Sequence, residues 1–211
     1  MSRYQETHED ELPKHTLLGR RADLPGCLRF FWAGLAKYLQ TGGIVPSQRF
    51  LVSRMIAPVP PSYQGRVFEL GCGTGALTVR LAARCPNVRI LACDLNSGLA
   101  EHTRRRVALA GLHRRVTIIC DSAERLLKTA VQRGWTKPDY IFSGIPLANL
   151  RADRVVALIL AVRQALAEDG MYIQFQHSLM DQKRIRDRFP SLQTVPVFLN
   201  FPPAVVYYAK C

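Results

Sequence analysis

The chain has 211 residues, 48% of them hydrophobic, enough to bury one core but no second large domain. Its 29 Lys and Arg against 16 Asp and Glu give a net charge of +13, which points to a polyanionic partner, either nucleic acid or an anionic membrane surface. No apolar run approaches the ~18 to 20 residues that spanning a bilayer requires, and the polar, acidic start MSRYQETHEDELPKH excludes a secretory signal. Any membrane contact is therefore expected to be peripheral, from the cytoplasmic side. The six cysteines (Cys27, Cys72, Cys85, Cys93, Cys120 and Cys211) form no C-x-x-C pair, and they read as buried free thiols rather than a metal site.

Residues 1–23 carry no apolar periodicity and are expected to be flexible. From Leu24 the pattern changes: Leu24, Leu28, Phe31, Leu35 and Tyr38 recur at helical spacing, flanked by Arg29 and Lys37. This amphipathic helix either caps the core or lies among lipid headgroups, since both roles need the same face. Gly42 and Gly43 end it, Pro46 and Ser47 start another helix, and Pro58 to Pro61 stop that one. Residues 24–61 are expected to form a helical cover, either over a pocket or at a membrane surface. The charge is uneven, with 8 basic and 5 acidic residues in 1–65 and 21 and 11 in 66–211. The basic face thus belongs mainly to residues 62–211, which form the main domain.

From Arg66 strand and helix alternate. Strand runs lie at about 66–70, 89–95, 116–121, 139–145 and 171–176, and helical patterns at about 74–84, 97–111, 122–132, 153–168 and 181–188. Strict alternation implies an α/β fold with a parallel, doubly wound sheet. Two further runs, 194–199 and 204–210, are joined by only NFPP, too short for a parallel crossover, so the last strands are expected to pair antiparallel in a seven-stranded sheet.

The first strand breaks into Gly71, Gly73 and Gly75 before a helix restarts. Such a corner suits close approach of a ligand to the main chain, and it offers unpaired N–H groups to a small, polar, partly negative group. The G-x-G-x-G alternation, with Glu69 two residues ahead, resembles the first motif of the class I S-adenosylmethionine (SAM) dependent methyltransferases. Gly71, Gly73 and Ala76 also satisfy a dinucleotide pattern, with Asp94 at a spacing suited to a ribose. Ligands of such sheets bind outside the carboxyl ends of the strands. There Asp94, followed by Leu95, is placed to take ribose hydroxyls, and Asp121 with Ser122 and Ala123 to read an adenine edge; helix capping is the bland role for the Asp and Ser residues. The glycine turn, both acids and the terminal hairpin together favour SAM and a Rossmann-like methyltransferase fold. A nicotinamide enzyme would need a second region for its substrate.

The fourth strand ends in FSGIPLANL, facing the methyl group in this family. Nucleic acid methyltransferases carry an Asn or Asp, then Pro, then an aromatic there, to grip a flipped base. Here Ser143, Gly144, Ile145, Pro146 and Leu147 stand in those places, with neither amide nor ring. The segments GGIVPSQ, ELGCGTG, FSGIPLANL, IQFQHS and FLNFPPAVVYYAK resemble the small bacterial phospholipid N-methyltransferases, which methylate phosphatidylethanolamine toward phosphatidylcholine. The similarity runs from about Phe30 to Tyr208. One departure is the fifth strand's end, Gln174-Phe175-Gln176-His177, where the family has Gln-Phe-Thr-Tyr, which leaves a related aminolipid such as an ornithine lipid open.

The resemblance implies methyl transfer to an amine nitrogen, for which the chain has to bind or create the neutral form. Ser143 and His177 are the catalytic candidates, the imidazole being the side chain that titrates nearest neutrality. Ser143 and Gly144 are also expected beside the cofactor, and Tyr38, Ile145, Pro146, Leu147 and His177 against the lipid headgroup. Tyr38 with Trp32 and Phe31 suggests a partial aromatic cage or, more plainly, core packing. Arg49, Arg151 and Lys183 are loose phosphate candidates, while Arg104, Arg105 and Arg106 read as solvated surface or lipid contact. Two alternatives remain: an RNA methyltransferase, which the charge suits although no nucleic acid contact is expected from the motifs, and a SAM-binding membrane scaffold without turnover.

Overall fold

The computed structural model describes residues 46–211 apart from 131, 133 and 201. The expected flexible tail, Cys27 and the amphipathic helix bearing Tyr38 lie outside the described residues. Within them the order is α1 (Pro46–Ile56), β1 (Arg66–Leu70), α2 (Ala76–Arg84), β2 (Arg89–Asp94), α3 (Ser97–Leu109), β3 (Val116–Cys120), α4 (Ala123–Thr129), β4 (Tyr140–Ser143), α5 (Ala152–Ala165), β5 (Met171–Gln176), α6 (Gln182–Arg186), β6 (Ser191–Val197) and β7 (Ala204–Lys210). A single 3-10 turn, Leu147–Asn149, follows β4.

The seven strands form one sheet in the order β3-β2-β1-β4-β5-β7-β6. β1 to β5 are parallel, and β7 slots between β5 and β6, antiparallel to both. Only β7 is reversed, so β6 ends at the same edge of the sheet as β1 to β5. Pro196 sits in β6, an edge strand, where the missing N–H costs least.

Pleat parity divides the core. Val67, Ile90, Ala92, Phe142, Ile173 and Val206 face one layer, built with Leu51 and Met55 of α1, Leu81 of α2 and Val107 of α3. Their strand neighbours Phe68, Leu91, Ile141, Tyr172 and Tyr207 face the other layer, with Leu126 of α4, Leu158 and Ile159 of α5 and Ile185 of α6. Helix α1 is a member of its layer rather than a loose cover: Leu51, Val52, Met55 and Ile56 are all buried, and the Tyr208 hydroxyl on β7 donates to the Arg54 carbonyl at 2.5 Å.

Two expectations shift. The run 194–199 is not one strand, because pairing starts at Ser191 and ends at Val197; Phe198 and Leu199 leave the ladder and stand 79% and 67% exposed. Of the thiols, Cys72, Cys85 and Cys93 are buried, but Cys120, the last residue of edge strand β3, is exposed.

Candidate active site

The corner after β1 is held entirely by the protein. Gly71 N–H and Cys72 N–H both donate to the Cys93 carbonyl at 2.9 Å, and Gly75 N–H donates to Cys72 at 2.9 Å. Gly73 N–H donates to Asp94 Oδ2 at 2.8 Å. The turn therefore offers a side-chain-free surface, and the open donors expected of the corner lie at the start of α2, where the Ala76 and Leu77 N–H groups have no partner among the described residues and Gly75 supplies no side-chain cap. All three glycines have positive φ, from 54 to 75°. Their surroundings differ. A Cβ on Gly75 would fall 2.7 Å from Thr103 Cγ2, and one on Gly71 3.4 Å from Ile145 Cγ1, whereas one on Gly73 would meet nothing within 4 Å. Gly73 is the point at which a ligand can lie against the main chain.

Asp94 is spent in part on this turn. Its Oδ1 accepts from Asn96 N–H at 2.9 Å while Oδ2 holds Gly73, and burial raises its pKa against the pull of those two donors. Two carboxylate oxygens carry about four lone-pair sites, so capacity remains for a ribose. Next to it Leu95 stands 76% exposed, an open apolar surface beside the turn. Asp121 accepts from Ser122 N–H at 2.8 Å and pairs with Arg125 at 3.4 Å. Ser122, not Asp121, caps α4, accepting from Arg125 N–H at 3.1 Å. The Ala123 side chain packs in the core, which leaves only its backbone for a ligand.

Glu69 lies deeper than expected. It is 3% exposed, and its Oε2 accepts the Thr78 hydroxyl at 2.6 Å, joining β1 to α2. Burial is the main cause that pushes its pKa up to about 8, with the Asp94 charge adding to it and Thr78 opposing. At neutral pH this carboxyl keeps its proton, so it braces the corner from within.

The end of β4 corrects three expectations. Ser143 is fully buried, and its Oγ accepts from Ile145 N–H at 3.3 Å; it stabilises the turn and does not face a reacting nitrogen. Pleat parity decides this, since Ser143 pairs with Gln174 and points to the layer of Tyr172. Leu147 is also fully buried, in that same layer, and offers no lipid contact. Gly144 donates to the Leu70 carbonyl at 2.9 Å, and a Cβ on it would fall 2.9 Å from the Gly71 carbonyl oxygen. It brings the two turns together. Ile145 and Pro146 remain half-buried, with the Ile145 carbonyl accepting from Gln174 Nε2 at 3.0 Å and Gln176 Nε2 at 2.9 Å. The Tyr172 hydroxyl donates in turn to Gln174.

His177, at the end of β5, is exposed, and its Nδ1 lies 2.9 Å from the Pro203 carbonyl. A carbonyl only accepts, so Nδ1 carries the proton and Nε2 is left as the acceptor. Its ring meets Phe175 edge-on at 5.9 Å, and Phe175 in turn reaches Gly144. The glycine turn, Gly144, Phe175 and His177 thus form one contiguous path.

Several contributors have no motif. Thr103 donates to the Gly73 carbonyl at 2.9 Å and Arg106 to that of Thr74 at 2.6 Å, while Arg104 donates to Ile118 at 3.2 Å. Of the three expected surface arginines only Arg105 is mainly solvated, paired with Glu101. The signal for Thr103 is its place in the buried stripe Leu99, Thr103, Val107 of α3, a polar residue where the helix is otherwise apolar.

The corner sets the Asp94 and Asp121 carboxyl groups beside the open N–H groups at the start of α2, so it suits a ligand carrying both charges, as the sulfonium, amino and carboxylate groups of SAM do. Residues 67–170 match the family model of the methyltransferase domain. An ornithine lipid N-methyltransferase of Singulisphaera acidiphila is 26% identical over 87% of this chain and 97% of its own length. A ribosomal RNA small subunit methyltransferase C of Salmonella arizonae is 34% identical, over 28% of this chain and 17% of its own. Among solved structures, a SAM-dependent methyltransferase from Agrobacterium tumefaciens aligns with a TM-score of 0.63 at 14% identity, over 80% of this chain and 63% of that one. The magnesium protoporphyrin IX methyltransferase of Synechocystis, with bound SAM, aligns at 0.60 and 16% over 78% of each. The chain has the class I methyltransferase fold and carries a methyltransferase domain over residues 67–170, and S-adenosylmethionine is its cofactor. Gly73, Asp94, Leu95 and the Asp121–Ala123 backbone are the groups that could hold it.

Two outcomes follow from this geometry. Gly73→Ala, in open space, should cost only the left-handed strain of ~1–2 kcal/mol yet weaken SAM binding at least about tenfold. Gly144→Ala should instead destabilise the ligand-free protein by ~1–3 kcal/mol through overpacking on Gly71. Calorimetric titration and thermal melts separate the two, and equal effects on both readouts would refute the assignment. Glu69 has a folded pKa raised from 4.5 to about 8, so its contribution to stability is complete below 4.5 and lost as pH rises through about 8. The stability of wild type relative to Glu69→Gln should fall between pH 5 and 8 by up to ~1.4 kcal/mol per pH unit and level off above. Parallel pH curves would show that Glu69 is ionised in the fold.

Proposed function

We propose that the protein N-methylates the primary amine of a membrane aminolipid. The observation that carries this reading is the end of β4. With Ser143 and Leu147 turned into the core and the Ile145 carbonyl tied down by Gln174 and Gln176, the substrate side presents Ile145 and Pro146. An apolar wall without amide or stacking ring suits a lipid headgroup better than a flipped base. The near full-length similarity to an ornithine lipid N-methyltransferase supports an ornithine-type amine. The SGIPL and NFPPAVVY segments support phosphatidylethanolamine as the second substrate. Both present a primary ammonium beside acyl chains.

Bound SAM supplies a methyl group already activated by its sulfonium, so the chain has to align and desolvate the amine and remove its proton. An ammonium has no lone pair. Its proton passes to His177 Nε2, the ring position left open by the bond to Pro203, and Ile145 and Pro146 disfavour the charged amine by excluding water. The nitrogen lone pair so freed takes the methyl as the carbon–sulfur bond breaks, its electron pair staying on the sulfur, which becomes a neutral thioether.

Purified protein is incubated with methyl-labelled SAM and, separately, with vesicles holding ornithine lipid, vesicles holding phosphatidylethanolamine, and total RNA. Label should enter lipid, and His177→Ala should lower kcat by ~10²-fold or more with a changed pH profile. Label in RNA alone would overturn the reading, and label in none would favour a SAM-binding scaffold.

A further inference from the structure

The carboxyl edge of the sheet divides along the strand order. The half formed by β1, β2 and β3 carries the glycine turn, Asp94, Leu95 and Asp121. The half formed by β4, β5, β7 and β6 carries the loops after β4 and β5 and the β6–β7 connection. Gln176 pairs with Val205, and Val205 with Pro196, so the last two of those loops leave the sheet side by side. They are tied together: His177 bonds to Pro203, and the Tyr207 hydroxyl donates to the Ser178 carbonyl at 3.2 Å. At their tips large apolar side chains point outward, with Leu179 59%, Met180 73%, Phe198 79% and Leu199 67% exposed. Leu150, in the loop after β4, is 36% exposed.

Apolar side chains presented together at adjacent tips mark a contact surface. Charge identifies the partner. Between 177 and 203 the chain carries Lys183, Arg184, Arg186 and Arg188 against Asp181 and Asp187; Arg184 pairs with buried Asp181 at 2.5 Å and Lys183 with Asp187 at 3.4 Å, which leaves Arg186 and Arg188 as the surplus positive charge. Apolar tips on a segment of net positive charge match an anionic bilayer, in which acyl chains lie beneath phosphates. No helix among the described residues is long and apolar enough to cross a membrane, so contact through such tips is shallow.

We propose that Leu179, Met180, Phe198 and Leu199 form a two-loop anchor that inserts into the interface of an anionic bilayer. Resting on the aminolipid reading above, the anchor holds His177 and Ile145 at headgroup level. The substrate amine then reaches the site from the membrane plane without leaving its leaflet. The two loops are coupled through His177 and Pro203, so anchoring and orientation of the base share one hydrogen bond.

A basic cleft elsewhere on the sheet supplies the control. About 600 Å³ in volume and lined by Arg66, Arg89 and Lys137 among others, it lies at the opposite, amino edge of the sheet. Strands of five or six residues place it ~16–20 Å away, beyond a Debye length of ~8 Å at physiological salt.

The test is sedimentation of the full chain with phosphatidylglycerol vesicles, alongside methylation of aminolipid dispersed in detergent micelles. The paired substitutions Leu179→Ser with Met180→Ser, and Phe198→Ser with Leu199→Ser, should each reduce vesicle partitioning at least about tenfold, while SAM affinity stays within about twofold. Arg89→Ser with Lys137→Ser should leave partitioning nearly unchanged. Wild-type partitioning of both tip variants would overturn the anchor, as would loss confined to the Arg89/Lys137 variant. Failure of the aminolipid reading looks different: no lipid is methylated in vesicles or micelles, although partitioning still depends on the tips.

Discussion

The contact between the Asp94 carboxylate and the Gly73 N–H, 2.8 Å long, is the constraint from which the site is built. It closes the turn after β1 onto the end of β2, so the two strands that cradle a cofactor are locked at their tips. With the donors of Gly71, Cys72 and Gly75 also taken by the protein, the turn is closed on itself, and the donors left open lie at the start of α2. Thr103 and Arg106 hold its carbonyls from the side of α3, and protonated Glu69 supports it from below through Thr78. The opening above Gly73 therefore survives in a rigid frame with carboxyl groups around it, and this suits a cationic cofactor even in a chain of net charge +13.

A second constraint is the approach of Gly144 to Gly71. Because neither residue has a Cβ, the turns after β1 and β4 touch backbone to backbone, and the substrate side is placed directly beside the cofactor side. Everything further along the edge depends on this registration. Gln174 and Gln176 fix the Ile145 carbonyl, Phe175 packs on Gly144, and His177 follows with its tautomer set by Pro203. On the proposed reading, cofactor, amine and base are thus ordered along one edge by the strand sequence β2-β1-β4-β5.

The fold was legible in the sequence because parallel strands in a two-layer shell are nearly continuous apolar runs, and the short NFPP link permits only antiparallel pairing. The glycine turn and Asp94 were legible too, since only glycine tolerates three positive-φ positions in five residues. Parity was harder to read. Ser143 and Leu147 look like pocket residues by their distance from the strand end, but which face a residue takes depends on its partner across the sheet, here Gln174 and the Tyr172 layer. Phe198 and Leu199 read as strand because they are apolar. That they leave the ladder follows from where β7 begins, a long-range fact with no local signature. Arg106 was hidden among three consecutive arginines, and only the helix phase separates it from Arg105.

The central claim is that one sheet edge is divided into a cofactor half and a lipid half, meeting at Gly144 and Ile145. Amide chemical-shift mapping of the labelled protein tests it most directly, first with S-adenosylhomocysteine, then with aminolipid in micelles. The division requires the nucleoside to move signals at 71–75, 94–96 and 121–123, and the lipid to move those at 145–150, 177–181 and 198–203. Gly144 and Ile145 should respond to both. Lipid-induced shifts confined to the amino edge around Arg66, Arg89 and Lys137, with the 177–203 loops silent, would contradict it.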